Sequence, residues 1–210
     1  MFDIAVFVSG GGTNLQAIID QIADHRLCGV HIACVVASQD RCFALQRARS
    51  AGIPTHVVKR SSFTEPASFD QALLNILRPY QVQLVVLAGY LTLLGPDFLA
   101  AYKGRVINIH PSLIPAFSGT GFYGIKPHEA ALAWGVRLSG ATVHLVDTAY
   151  DHGPIILQKA VPVLADDTAQ TLQQRVMQDA EQVILPQAIT LFAQGRIKQE
   201  GRIVRILNEI

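Results

Sequence analysis

Ile4-Ala5-Val6-Phe7-Val8, then Ser9-Gly10-Gly11-Gly12-Thr13-Asn14, then Leu15-Gln16-Ala17-Ile18-Ile19: this run reads as strand, glycine turn and helix. The first five residues are apolar without alternation, the mark of a strand buried on both faces. The glycines break that pattern. Leu15, Ile18 and Ile19 then recur at helical spacing. A strand covered on both faces belongs to an α/β layered fold. The turn also sits at a helix N-terminus, where backbone N–H groups and the helix dipole favour an anion.

The turn is not a P-loop, because no Gly-Lys-Ser/Thr follows. Nor is it the dinucleotide fingerprint, since Leu15 stands where the third glycine would be. A single phosphate monoester suits it better, with side-chain donors from Thr13 and Asn14. A tight turn with a helix cap is the plainer alternative.

Outward from this run, residues 30–37, 55–58 and 84–88 read as further strands, and 43–51 and 69–77 as helices between them. The alternation predicts a mostly parallel twisted sheet with helices on both faces, a Rossmann-like single domain over 1–210. Beyond it come an apolar loop over 89–94, a long loop over 112–126 and a helix over 127–134. Strands over 141–146 and 155–163 follow. A helical stretch over 168–192, interrupted or kinked at Pro186, leads to a hairpin over 197–206. The 89–94 loop either packs on the core or forms an apolar slot for a flat ligand.

Composition excludes several classes. Half of the 210 residues are hydrophobic and 16% are charged, enough for a sizeable core and against disorder. The net charge of +1 and the lack of a basic stripe argue against nucleic acid. Residues 84–94, the longest apolar run, are too few to span a bilayer, so no membrane partner is expected. Cys28, Cys34 and Cys42 are odd in number and lack C-x-x-C spacing, as in a reducing compartment. The chain enters a strand at once after Met1, with no signal-peptide pattern, and a cytoplasmic protein is expected. No H-E-x-x-H, paired cysteines or G-x-S-x-G occurs, so no metal and no serine nucleophile are expected.

The chemistry points to Arg105-Val106-Ile107-Asn108-Ile109-His110-Pro111-Ser112. Asn108 and His110, two apart on a strand, face the same side. Pro111 ends the pairing, which leaves them at the carboxyl end of a strand, where open α/β sheets bind ligands. An amide beside an imidazole suits a developing oxyanion; a turn cap and a satisfied core histidine are the plainer reading. Asp151, on the turn Asp151-His152-Gly153-Pro154, would raise the pKa of His110 if it came near. Such a set points to acyl transfer or hydrolysis without a covalent enzyme intermediate. His144 is expected to be a structural hydrogen-bonding partner. Gln178 and Glu181, three apart, share a helix face, by default a solvated one.

Taken together, Ser9-Gly10-Gly11-Gly12-Thr13-Asn14-Leu15-Gln16, Asn108-Ile109-His110-Pro111-Ser112-Leu113-Ile114-Pro115 and Asp151-His152-Gly153-Pro154-Ile155-Ile156 resemble the phosphoribosylglycinamide formyltransferases of purine synthesis. The resemblance covers about residues 2–195. It implies a phosphate-binding half over 1–100 and a catalytic and folate half over 101–210. It implies transfer of the formyl group of 10-formyltetrahydrofolate to the amine of glycinamide ribonucleotide, with both as small-molecule partners. Gly12, Thr13 and Asn14 would bind the ribose phosphate, and Leu91, Thr92, Leu93 and Leu94 the pterin. Asn108 would bind the formyl oxygen, His110 would be the general acid and Asp151 would raise its pKa. Gln178 and Glu181 would meet the glycinamide substrate. Thr92 and Pro66 stand where relatives often carry Arg, which touches the folate side-chain contacts rather than the chemistry. A monomer or weak homodimer is expected. A formyltetrahydrofolate hydrolase, a sugar N-formyltransferase and a nucleotide- or folate-sensing module are the alternatives. A methionyl-tRNA formyltransferase fits neither the length nor the charge.

Overall fold

The computed structural model describes residues 1–208, as two compact units. The first is Met1–Asn108 and the second begins at Ile109. This division falls inside a strand, eight residues beyond the 100/101 boundary expected from sequence.

In the first unit the elements are β1 (Phe2–Val8), α1 (Thr13–Ala23), β2 (Val30–Ala37), α2 (Phe43–Ser50), β3 (Thr55–Val57), α3 (Pro66–Leu77), β4 (Leu84–Leu87), α4 (Pro96–Ala101) and β5 (Val106–His110), whose last two residues enter the second unit. Strands β1–β2, β1–β4, β2–β3 and β4–β5 all pair in parallel. Ile4, Ala5, Val6, Phe7 and Val8 are each fully buried. Successive strand residues face opposite sides, so both faces of β1 are covered, as its unbroken apolar run requires.

Helix α3 starts at Pro66, three residues before the apolar repeat that reveals it, because proline is at home in a first turn. Helix α4 was not expected at all. It has six residues and a single buried apolar one, Phe98, too few to show a period. It is held from outside: the Asp70 carboxylate accepts from Gly95 N at 2.9 Å and from Phe98 N at 3.1 Å, satisfying two donors at its N-terminus.

The second unit contains α5 (Lys126–Trp134), β6 (Leu138–Leu145), β7 (Ile155–Pro162), α6 (Ala169–Val176), a π-helical turn (Met177–Glu181), α7 (Gln182–Ala193) and the hairpin β8–β9 (Ile197–Glu200, Ile203–Ile206). β6 and β7 are antiparallel, from Leu138 opposite Pro162 to His144 opposite Ile155. The strand order is β3-β2-β1-β4-β5-β6-β7, so the sheet is mostly parallel, with an antiparallel edge.

The long C-terminal helix is interrupted, but not where proline suggested. Pro186 lies inside α7, and the break is the π turn before it. Proline removes one donor and crowds the carbonyl four residues earlier. Leu172, Val176, Ala180, Leu185, Ala188 and Ile189, all fully buried, carry the core across the break.

Candidate active site

Two sets of polar groups stand out, one in each unit. In the first, Ser9 follows the end of β1. Its N–H donates to Gly89 O at 3.0 Å and its hydroxyl accepts from Leu91 N at 2.9 Å, which ties the glycine turn to the 89–94 loop. Gly12 caps α1 in the left-handed region (φ 73°), and a Cβ there would strike the Ala44 backbone. Thr13 is exposed and Asn14 is buried. No side chain caps α1 at Gly12, and an anion site would draw on the first turn of such a helix. In the neighbouring loop Leu94 is buried, while Leu91 and Leu93 are exposed and Thr92 is half-buried.

The second set is built around His110, the last residue of β5. Asn108 precedes it on the same strand, half-buried, and two-residue spacing turns both to one side. Pro111 follows, and the chain leaves the sheet into the loop beginning at Ser112. Thr142 on β6 pins that loop. Its hydroxyl donates to Ser112 O at 2.7 Å and accepts from Ile114 N at 3.1 Å and Gln158 Nε2 at 3.0 Å, the full capacity of a hydroxyl. Ser112 Oγ donates to Ala116 O at 2.6 Å. The loop so folded places the Phe117 carbonyl 2.9 Å from His110 Nε2, which must therefore be the protonated nitrogen.

The other ring nitrogen faces Asp151: His110 Nδ1 lies 3.3 Å from Asp151 Oδ2. That contact depends on Gly153. A Cβ there would run into the Leu145 carbonyl oxygen, so only glycine lets the 151–154 turn lie against the end of β6. Leu145 N donates to Pro154 O at 2.8 Å and closes the turn. Gly119 N donates to Asp151 Oδ2 at 2.9 Å, joining the two loops. Phe117 and Asp151, the residues facing the two ring nitrogens, both have positive φ, 50° and 51°. Non-glycine residues in that region are strained, and such strain gathers at functional sites.

Asp151 serves a second imidazole. His144 donates from Nδ1 to Leu145 O at 2.8 Å, and its Nε2 lies 3.6 Å from Asp151 Oδ1. His144 is thus the structural partner expected, with Asp151 as one of the groups it meets. Burial pushes the Asp151 carboxyl up. His144, the His110 charge and the Gly119 N–H together outweigh burial and hold it below the ordinary value.

The expectation that His110 is raised to an imidazolium is corrected. Burial is the largest influence on it and lowers it; Asp151 and the Phe117 carbonyl act upward without overcoming burial, and His144 adds to the lowering.

The shared helix face expected of Gln178 and Glu181 is altered by a local change of helix type. Both lie in the π turn, whose i→i+5 bonds widen the helix, so residues three apart no longer stack as in an α-helix. Gln178 is exposed and Glu181 is buried. His128 went unremarked because it lies inside a helical repeat. It is fully buried on α5, neither ring nitrogen has a hydrogen-bond partner among the described residues, and burial followed by the charge of His110 lowers its pKa to about 4. Among the described residues no group of three or more His, Cys, Asp or Glu could hold a metal ion, and no helix is long and apolar enough to cross a membrane.

The profile of the formyl transferase family matches residues 2–189. A phosphoribosylglycinamide formyltransferase of Escherichia coli (strain K12) is 40% identical over 196 residues, 93% of this chain and 89% of the relative. A chloroplastic phosphoribosylglycinamide formyltransferase of Vigna unguiculata is 42% identical over 181 residues, 86% of this chain. Only 57% of the Vigna protein's own length is spanned. A crystal structure of glycinamide ribonucleotide transformylase 1 from Symbiobacterium toebii superposes with a TM-score of 0.91 at 44% identity, covering 99% of this chain and 95% of that one.

Proposed function

Because the chain belongs to the phosphoribosylglycinamide formyltransferase family, we propose that it moves the formyl group of 10-formyltetrahydrofolate directly onto the amine of 5-phosphoribosylglycinamide, the step of de novo purine synthesis that leaves tetrahydrofolate. The observation that carries the chemistry is His110 set between a carbonyl and a carboxylate, with Asn108 beside it on β5.

The nucleotide phosphate binds the turn of Gly12, Thr13 and Asn14, and the pterin lies on Leu91, Thr92, Leu93 and Leu94. The substrate amine attacks the formyl carbon and breaks the C=O π bond. The oxyanion receives hydrogen bonds from the Asn108 amide and from His110 Nε2–H, which exchanges the Phe117 carbonyl for the new acceptor. That nitrogen is already the donor, so no change of tautomer is needed. As negative charge grows, His110 keeps its Nε2 proton and stabilises the oxygen by donating to it, while the Asp151 carboxylate beside Nδ1 acts upward on the ring's pKa. The attacking nitrogen loses its proton through water. The folate nitrogen leaves protonated as the C=O bond reforms. Holding both substrates together supplies much of the remaining acceleration. Glu181, buried in the π turn, pairs with the amine or holds the ribose hydroxyls, and Gln178 lies at the margin.

The three cysteines are free thiols, in keeping with a cytoplasmic enzyme. It is expected to act as a monomer or weak homodimer, which light scattering on the eluted protein reads. The deciding assay follows the absorbance of 10-formyltetrahydrofolate. Loss of folate formyl that requires the ribonucleotide supports the transferase. Loss without any acceptor amine makes it a hydrolase, and binding without turnover makes it a sensor.

A further inference from the structure

Helix α2 closes on the glycine turn and takes up its carbonyls in order. Ala44 N and Cys42 Sγ both donate to Gly10 O, at 3.1 and 2.9 Å. Arg47 Nε donates to Gly11 O at 2.9 Å, and Arg47 Nη1 donates to Gln16 Oε1 on α1 at 3.0 Å. The guanidinium carbon lies 4.9 Å from the centre of the Phe43 ring, a cation–π distance. One side chain thus joins the turn, the helix after it and the helix packed behind it.

The peptide plane gives this arrangement a consequence. In a trans peptide the N–H of the following residue points opposite to the carbonyl. Carbonyls of Gly10 and Gly11 drawn into α2 therefore aim the N–H groups of Gly11 and Gly12 the other way, to the open side of the turn. Glycine has no side chain to hold its own backbone, so the orientation must come from a neighbour.

We propose that Arg47 is the positioning residue of the anion turn, fixing the Gly11–Gly12 peptide with its N–H outward and adding a full positive charge behind it. The ligand it serves is the phosphate monoester of the nucleotide substrate, so the proposal rests on the reading of the 12–14 turn as the phosphate site. The guanidinium suits the task because its planar fork reaches two acceptors at once, which a lysine ammonium on a flexible stem does not reproduce. Neither donor–acceptor pair is visible in a linear motif: 36 residues separate Arg47 from Gly11 and 31 separate it from Gln16.

The test uses the full chain with Arg47→Met, Arg47→Lys and Gln16→Leu, and measures kcat, the KM for each substrate and the rise in Tm caused by inorganic phosphate. Arg47→Met keeps the apolar stem and loses the fork. Its KM for the ribonucleotide should rise on the order of tenfold or more, the usual worth of a charge-assisted hydrogen bond. The KM for folate and the kcat at saturating ribonucleotide should stay unchanged, and the phosphate-induced stabilisation should disappear. Arg47→Lys should fail to restore the ribonucleotide KM, which separates positioning from charge alone. An unchanged ribonucleotide KM, equal rises in both KM values, or full rescue by lysine overturns the proposal. Should Arg47→Met not fold, Gln16→Leu removes one anchor of the fork, and its ribonucleotide KM must rise in the same direction or the proposal fails. If the wild-type protein transfers no formyl group, the functional reading has failed, and phosphate stabilisation then decides the role of Arg47. Stabilisation seen in the wild type and lost in Arg47→Met supports it; stabilisation kept in the variant, or absent from the wild type, overturns it.

Discussion

His110 has an acceptor on each side, the Phe117 carbonyl and the Asp151 carboxylate, yet burial holds its pKa below the ordinary imidazole value. In the proposed transfer the carboxylate nearby is therefore a bias that acts when negative charge grows on the reacting oxygen. Two expectations belong here. The imidazole resonances of His110 should titrate below 6.5, and lower still in Asp151→Asn, because the upward influence of the carboxylate is gone. The same variant should lose on the order of a hundredfold in transfer rate, while His110→Ala should lose nearly all turnover and retain nucleotide binding. A titration that moves upward in Asp151→Asn would contradict the assignment. His128 is the second case. Its pKa of about 4 lies below the 6.5 of a free imidazole, so below pH 6.5 the unfolded chain binds the extra proton and stability falls as pH falls, down to about pH 4. Replacing the ring by leucine should flatten that slope by about 3 kcal/mol in denaturant titrations at the two ends of the window. Asn108, His110 and Asp151 were legible as residue types suited to an oxyanion. The Phe117 backbone carbonyl was not, because any residue carries one and only the loop path aims it.

At the scale of elements, two supports came from distant sequence. Gly153 lets the Asp151 turn rest on the end of β6, and Asp70 on α3 caps α4. Gly153→Ala should cost roughly 1–3 kcal/mol, an overpacking penalty. It should depress kcat as well, since the carboxylate moves with the turn; thermal unfolding and initial rates read the two effects separately. Asp70→Ala should cost about 2 kcal/mol, the worth of a lost cap with two donors left buried, and leave kcat unchanged. Strands β1 and β4 were readable because their apolar runs are unbroken, β2 and β5 because their apolar residues are β-branched and closely spaced, and the terminal hairpin also lies where it was expected. Helix α4 and the π turn were not readable: one is too short to have a period, and the other is a change of period that no residue type announces.

At the scale of the whole molecule, the groups with lowered pKa values are concentrated in one unit. His110, His128, Asp147, Asp151 and Asp167 lie in the second, where the Arg175 pair holds Asp167 well below the carboxylate range, against His56 in the first. Histidines lowered on folding withdraw stability as pH falls below 6.5, and lowered aspartates withdraw it as pH falls from 3.8 through their folded values. The second unit should therefore lose amide protection first on acidification, as pulsed hydrogen exchange resolved by peptide would show; earlier loss in residues 1–108 would contradict this. The amino-acid sequence by itself determined the layered α/β class, and it offered a glycine turn at a helix start and three side chains suited to an oxyanion site, since period, glycine spacing and functional group are local properties. Only the tertiary structure decided that Asp151 reaches His110 and His144, that burial outweighs that carboxylate, and that Glu181 is buried while Gln178 is not. Those depend on distance and desolvation, which arise when segments remote in the chain pack together.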